Sequence, residues 1–458
     1  MIIFLHGKSK PRIMKKHYPT YALLLFLFVI GCSKDDNGTD PYKKPNSNNP
    51  IQQEPVLSSA KQIVSFKLVE SEVPCAREIS NVLDEAGKSI EILVPYYTGI
   101  NSITPVVTLS EGATISPQGA IDFTESQTYT VSAEDGTSVD YEVHVTVGMS
   151  DRQVLEMLLA ANPDNRTNWN TSQPDMSSWN GVVTNQDDRV LELSLIQAGI
   201  TTLPAEIGQL CLLESLSVSN NAITEIPSEI GQLQNLKFLR LNNLRLTSLP
   251  AEIGSLSQLT YFSARGNDLE ALPAEIGQLS ALETLNLSSN RLTSLPAEIG
   301  GLTSLKSMDM GGNRITAIPG EIGQMSKLET LTLSSNRMTE LPGQIGQLSS
   351  LKDLIIDRGD LASLPTEIGQ LSNLRSLIVS RNKLITVPAE LGNATNLAYF
   401  NAQRNNIDVV PKEVGNLINL NLLVLRRNDF NTIPSEICAL ATNYGTRIFV
   451  DGNVDCMP

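Results

Sequence analysis

Apolar and polar residues alternate with three different rhythms along this chain. Over residues 190–436 one unit returns every 23 residues, its phase marked by Pro204, Pro227, Pro250, Pro273, Pro296, Pro319, Pro342, Pro365, Pro388, Pro411 and Pro434. Within one unit, Leu282, Leu285 and Leu287 alternate as on a short strand facing inward. Asn290 turns the chain, and its amide is suited to bond the backbone of neighbouring coils. Leu292 and Leu295 continue the core, and Pro296 opens a short helical turn in which its missing N–H does no harm. Glu298 follows at the positive end of that turn, and Ile299 and Leu302 close the outer side. No such unit buries its apolar face alone, so the units must stack. Residues 60–148 instead alternate with period two, as in Ile63–Val69, Tyr129–Ala133 and Tyr141–Val147, with Asp135-Gly136 as a hairpin turn. That pattern predicts a small β-sandwich, in which His144 is a partly exposed strand residue. Between the two, residues 150–163 read as a helix with Ser150 and Gln153 as a capping box and Val154, Leu155, Leu158 and Leu159 on one face.

A 23-residue period with this leucine spacing is the leucine-rich-repeat signature. The sequence resembles the Leu-Pro-x-Glu-Ile-Gly class of that family over about two thirds of its length. The predicted architecture is therefore multidomain: an all-β Ig-like sandwich at 60–148, then an α/β solenoid. The solenoid has a parallel sheet on its concave face and short helical turns on its convex face, with a cap at 149–189, eleven repeats at 190–436 and a second cap at 437–458. The turn asparagine is replaced at Ala198, which opens the array and where divergence is expected, and at the interior positions Leu244 and Gly359, where local distortion is expected. Trp169, Trp179-Asn180-Gly181-Val182 and Arg189-Val190 resemble the N-terminal cap of plant-type receptor repeats, without the cysteine pair of that cap. At the other end Cys438 and Cys456 flank a degenerate coil, and an oxidising compartment permits a disulfide between them; Cys211 is expected to stay free.

Residues 1–31 end in ten apolar positions, too few to span a bilayer, preceded by Lys15 and Lys16. Met14 gives this leader a more compact start than Met1. Val29-Ile30-Gly31-Cys32 resembles a bacterial lipobox, which implies cleavage before Cys32 and a lipid on its thiol. Ser33-Lys34-Asp35-Asp36 looks like the surface-export tag of Bacteroidota-type lipoproteins, and residues 32–59 read as a flexible tether. The end of the β domain resembles Ig-like domains that follow the anchor in such proteins. Together these imply an outer-membrane location with the solenoid facing the exterior; a periplasm-facing structural role is the alternative.

Charge narrows the partners. The net charge is −15, and the first 31 residues hold five basic groups and no acidic one, so the remainder is more acidic still. A general nucleic-acid binder is excluded. Three histidines, no Gly-rich phosphate loop and no metal-spaced Cys/His cluster leave no enzyme, metal or cofactor to propose. Binding through the variable positions between the leucines is what the family resemblance implies, with a protein or glycan as partner. There the last four coils carry Arg358, Arg381, Arg404 and Arg427 in one column, and Ile355, Ile378 and Val424 in another, beside Tyr399 and Leu422. Arginine and aromatic residues are enriched at binding hot spots. Asp353, Asp357, Asp360 and Asp429 are near enough in sequence to neutralise the arginines instead. A secondary candidate is Phe238, Arg240, Tyr261 and Arg265. Arg358-Gly359-Asp360 also spells a cell-adhesion tripeptide, but at a strand end and not on a loop tip.

Overall fold

The computed structural model describes residues 57–68, 80–96, 98–173, 175–452 and 454–456. The expected leader, Cys32, the export tag and Cys75 lie outside the described residues. The first domain is built from β1 (Ile63–Leu68), β2 (Ser80–Asp84), β3 (Ser89–Val94), β4 (Pro105–Leu109), β5 (Thr114–Ser116), β6 (Gln127–Ser132) and β7 (Ser138–Val147). β1 pairs with β4, and the other five form one sheet in the order β2-β3-β7-β6-β5, antiparallel except between β3 and β7. Period-two burial follows the sequence: Tyr141 and Val143 are buried, Glu142 is exposed. Phe66, Ile90, Ile92, Phe123, Tyr129 and Val131 fill the core, with Phe66 edge-on to Tyr129 at 5.1 Å. Gly136 takes a φ of 83°, so the Asp135-Gly136 turn needs its glycine. His144 is partly exposed, 3.4 Å from Glu142 and 3.9 Å from Glu91.

The solenoid presents one thirteen-stranded sheet, parallel from Val190–Ser194 to Arg447–Phe449, with the antiparallel strand Val182–Thr184 on its first edge. From the second coil on, each contributes three strand residues, such as Thr284–Asn286, whose central Leu285 is buried while the outer two face the concave side half-buried. The convex turn is a five-residue 3-10 helix, Ala297–Gly301 in this coil. Pro296 is extended, with φ −68° and ψ 151°, and its carbonyl accepts from Ile299 N–H at 3.1 Å. The proline thus caps the turn from outside, where the pattern had placed it at the first helical position. Turns stack so closely that a Cβ on Gly277 would lie 2.0 Å from the Glu298 carbonyl oxygen, which explains the glycine of the repeat.

The asparagine ladder is present at all eight positions that carry the residue. Asn290 donates to the carbonyls of Ala264 and Leu287 at 3.0 and 2.9 Å and accepts from Leu269 N–H at 3.1 Å. Where Leu244 and Gly359 replace it, strand pairing continues in register. The expected distortion is absent because the backbone bonds beside the ladder persist, such as Asn243 N–H to Arg265 and Gly359 N–H to Arg381.

Both ends are closed. Helix α1 (Asp151–Ala161) has its capping box formed, and Val154, Leu155 and Leu158 are buried. Trp169 stacks on Trp179 at 5.0 Å. Asp151 and Arg189 form a buried ion pair at 3.3 Å, and Asp151 also accepts from Val190 N–H at 2.7 Å. Burial raises the Asp151 carboxyl above its ordinary range despite Arg189. Cys211, 2.9 Å from Arg189, is disulfide-bonded and not free, which corrects the expectation from sequence. At the far end α2 (Ser435–Tyr444) stops at Gly445 in the left-handed region, with φ 73°. Cys438 on this helix is disulfide-bonded. The backbone of Cys456 pairs with Ile433, just before that helix; its side chain lies outside the described residues.

Candidate functional site

The concave face offers three columns of side chains: the outer two positions of each strand, and the turn just after it. In that turn one residue of every coil has positive φ, running Gln197, Asn220, Asn243, Gly266, Ser289, Gly312, Ser335, Arg358, Arg381, Arg404 and Arg427. Glycine and asparagine suit this backbone; an arginine gains nothing from it. The four arginines nonetheless occupy it at φ 58°, 55°, 57° and 60°, and all four are exposed. Neighbouring coils are bonded at this level, with Arg381 N–H donating to Gln403 at 2.8 Å and Arg404 N–H to Arg426 at 2.9 Å. The column therefore has the spacing of the sheet, about 4.8 Å per coil.

Neutralisation of the guanidiniums reaches one end only. Arg358 Nε lies 3.3 Å from Asp357. Asp360 pairs with Lys383 at 2.6 Å, which leaves it engaged in the solenoid wall and not presented as an adhesion motif. Arg381, Arg404 and Arg427 have no salt bridge among the described residues; at Arg427 the Asp451 carboxylate accepts from the backbone N–H, at 2.6 Å. Arg427 and then Arg381 hold the Arg404 guanidinium below its ordinary value, though it remains a cation at neutral pH.

Beside the arginines, Ile355, Ile378, Tyr399, Leu422 and Val424 are half-buried on the strands, as the alternation required. Asn401 interrupts the aliphatic column because its amide donates to the Tyr399 hydroxyl at 3.0 Å, fixing that ring. The structure adds residues that the sequence reading missed. Phe449 pairs in register with Val424 and extends the apolar column. Arg447 continues the neighbouring one beside Leu422, and Arg426 lies over the Phe449 ring at 5.0 Å. Their signal was the alternation Arg447-Ile448-Phe449, concealed by the loss of the 23-residue phase after Pro434.

The secondary cluster also comes together. Arg240 lies 4.8 Å from the Tyr261 ring and 5.8 Å from that of Phe238, and those rings are 6.4 Å apart. Phe238 is 40% exposed, and Arg265 is exposed in the column beyond. Here the cation already sits on aromatic faces of its own chain, so less of it is offered outward. Among the described residues, no group of acidic, His or Cys side chains could hold a metal ion, and no helix is long and apolar enough to cross a membrane.

Comparison with known proteins agrees with this architecture. The family model "Leucine-rich repeat region" matches residues 189–261, 247–337 and 298–399, and the model "SGBP, N-terminal" matches residues 63–145. A leucine-rich-repeat protein of Leptospira interrogans is 34% identical over 58% of this chain and 79% of its own, with a TM-score of 0.46. The Arabidopsis receptor kinase HAESA, solved in complex with the peptide hormone IDA and the co-receptor SERK1, is 25% identical over 67% of this chain and 54% of its own, with a TM-score of 0.55. A structure described as a TDR receptor is 27% identical over 58% of this chain and 47% of its own, with a TM-score of 0.51. The chain thus spans about half the length of those receptor structures. Among curated proteins none matches.

Proposed function

We infer the function from one premise: the chain belongs to the leucine-rich-repeat proteins and carries an N-terminal domain of the SGBP type. We propose that it is a non-catalytic binding protein that takes a protein or glycan partner on the concave face of its last coils. One observation carries this reading. Arg381, Arg404 and Arg427 stand exposed on left-handed backbone, repel one another and have no salt-bridge partner among the described residues. Nothing among the described residues rewards arginine there, whereas an external anion would. The half-buried apolar residues beside the column supply the complementary dry surface.

The reading extends to the address. A lipid on Cys32 holds the protein at the outer membrane, the tether and β domain act as a stalk, and the solenoid faces the exterior. This rests on the lipobox-like and acidic stretches of the sequence.

Two experiments test it. The purified protein is screened against protein and glycan collections beside a variant with Arg381, Arg404 and Arg427 all changed to Gln. Partners should be retained by the wild type and lost by the variant; equal retention by both removes the site. Protease shaving of intact cells should release the solenoid by cutting the tether. Protection until the outer membrane is opened would turn the protein toward the periplasm.

A further inference from the structure

We propose that the partner on the arginine column is an extended polypeptide segment of polyproline II type with an acidic side chain at every third residue. This rests on the binding role proposed above and names the ligand class for the same site.

Three observations lead there. The first is spacing. Consecutive arginines are one coil apart, so alternate ones, Arg358 with Arg404 and Arg381 with Arg427, are about 9.6 Å apart. A polyproline II helix rises about 3.1 Å per residue with three residues per turn. Residues three apart then point the same way and lie about 9.3 Å from each other, within about 0.3 Å of two coils. An α-helix at about 5.4 Å per turn would drift by about 2 Å across the four coils. The second is the chemistry of the neighbouring columns. Ile355, Ile378, Leu422 and Val424 carry no hydrogen-bonding groups, so sugar hydroxyls laid on them would lose their water without replacement. Proline rings and aliphatic side chains would lie on them, and on Tyr399 and Phe449, without that loss. The third is that the charge is unspent. Only the Arg358 guanidinium is salt-bridged to a carboxylate of its own chain among the described residues, at 3.3 Å. A segment with carboxylates at the matching interval supplies such a partner to Arg381 and Arg427, the alternate pair that has none, on a protein otherwise acidic.

The decisive experiment uses labelled twelve-residue peptides against the purified full chain, followed by fluorescence anisotropy. One peptide repeats Asp-Pro-Pro four times; a second has the same composition with its four aspartates consecutive. The first should bind at least about tenfold more tightly at low salt and weaken as salt rises. Arg381→Gln should lower its affinity about tenfold, and Arg427→Gln similarly. Melting curves recorded on the variants separate loss of binding from loss of fold. Equal affinity for both peptides, or binding indifferent to both Arg381→Gln and Arg427→Gln, overturns the proposal. So does a polyuronate probe that binds through the arginines while both peptides fail, an outcome that keeps the binding role and discards the peptide. Failure of peptides, polyuronate and screened partners alike to depend on Arg381, Arg404 and Arg427 would remove the binding site itself.

Discussion

Asn313 offers a direct test of what holds the coils together. Its amide donates to the carbonyls of Leu287 and Met310 at 3.0 and 2.9 Å and accepts from Leu292 N–H at 3.0 Å, joining three positions of two coils inside the core. Asn313→Ala removes all three bonds at a site that is only 7% exposed. A hydrogen bond contributes about 1 kcal/mol net, and a buried group left unpaired costs about 1–3 kcal/mol. Three lost bonds at about 1 kcal/mol each give an expected loss of about 3 kcal/mol; of the groups left behind only Leu292 N–H is unpaired, because Leu287 and Met310 still accept from Asn290 and Asn336. Asn313→Asp should be worse, because it turns a donor into a carboxylate facing two carbonyls. Urea unfolding followed by circular dichroism measures the loss. Native-state amide exchange localises it: Leu292 N–H should lose protection, while Ile407 N–H, far along the array, should keep its own. A loss under about 1 kcal/mol with Leu292 still protected would refute the claim that the ladder bears on stability, and would leave leucine packing as the whole of it.

Three further outcomes follow from other contacts. Asp151→Ala should destabilise the protein by about 3–5 kcal/mol, because Arg189 is left buried with its carboxylate gone; an unchanged urea midpoint would show that this pair is not what seals the cap. Gly277→Ala should lower the melting temperature sharply, since the added Cβ would meet a backbone carbonyl at 2.0 Å, whereas Gly320→Ala, whose Cβ would meet the end of Gln344 at 3.1 Å, should leave it nearly unchanged. Equal effects would mean that the turns do not stack as described. Tyr129→Phe should be neutral or stabilising by up to about 1 kcal/mol, because the hydroxyl is buried without a partner among the described residues and burial pushes its pKa up to about 12. Faster amide exchange in β6 and β7 of that variant would reveal a hydrogen bond on Tyr129 after all.

Much of this molecule could be read without coordinates, because in a solenoid each position of the repeat meets one environment many times over. Leucine spacing implied the strand, the asparagine implied the ladder, and Ser150 with Gln153 implied a cap; all depend on neighbours one turn or one coil away. The arginine column was legible as a row of charge for the same reason. What the row means was not. That its residues sit at positive φ follows from how the chain leaves the sheet, and the Asn, Gly and Ser of earlier coils only hint at it. Which carboxylates neutralise it was decided by side-chain reach, which gave Asp357 to its chain neighbour Arg358 but sent Asp360 across to Lys383 of the next coil. Asp151 and Arg189 lie 38 residues apart, Cys211 proved disulfide-bonded, and Phe449 joined the apolar column after the repeat phase had ended. Periodicity carries information only about contacts that repeat. Contacts made once, at the caps and where charges choose partners, depend on distances that arise only when the coils are stacked.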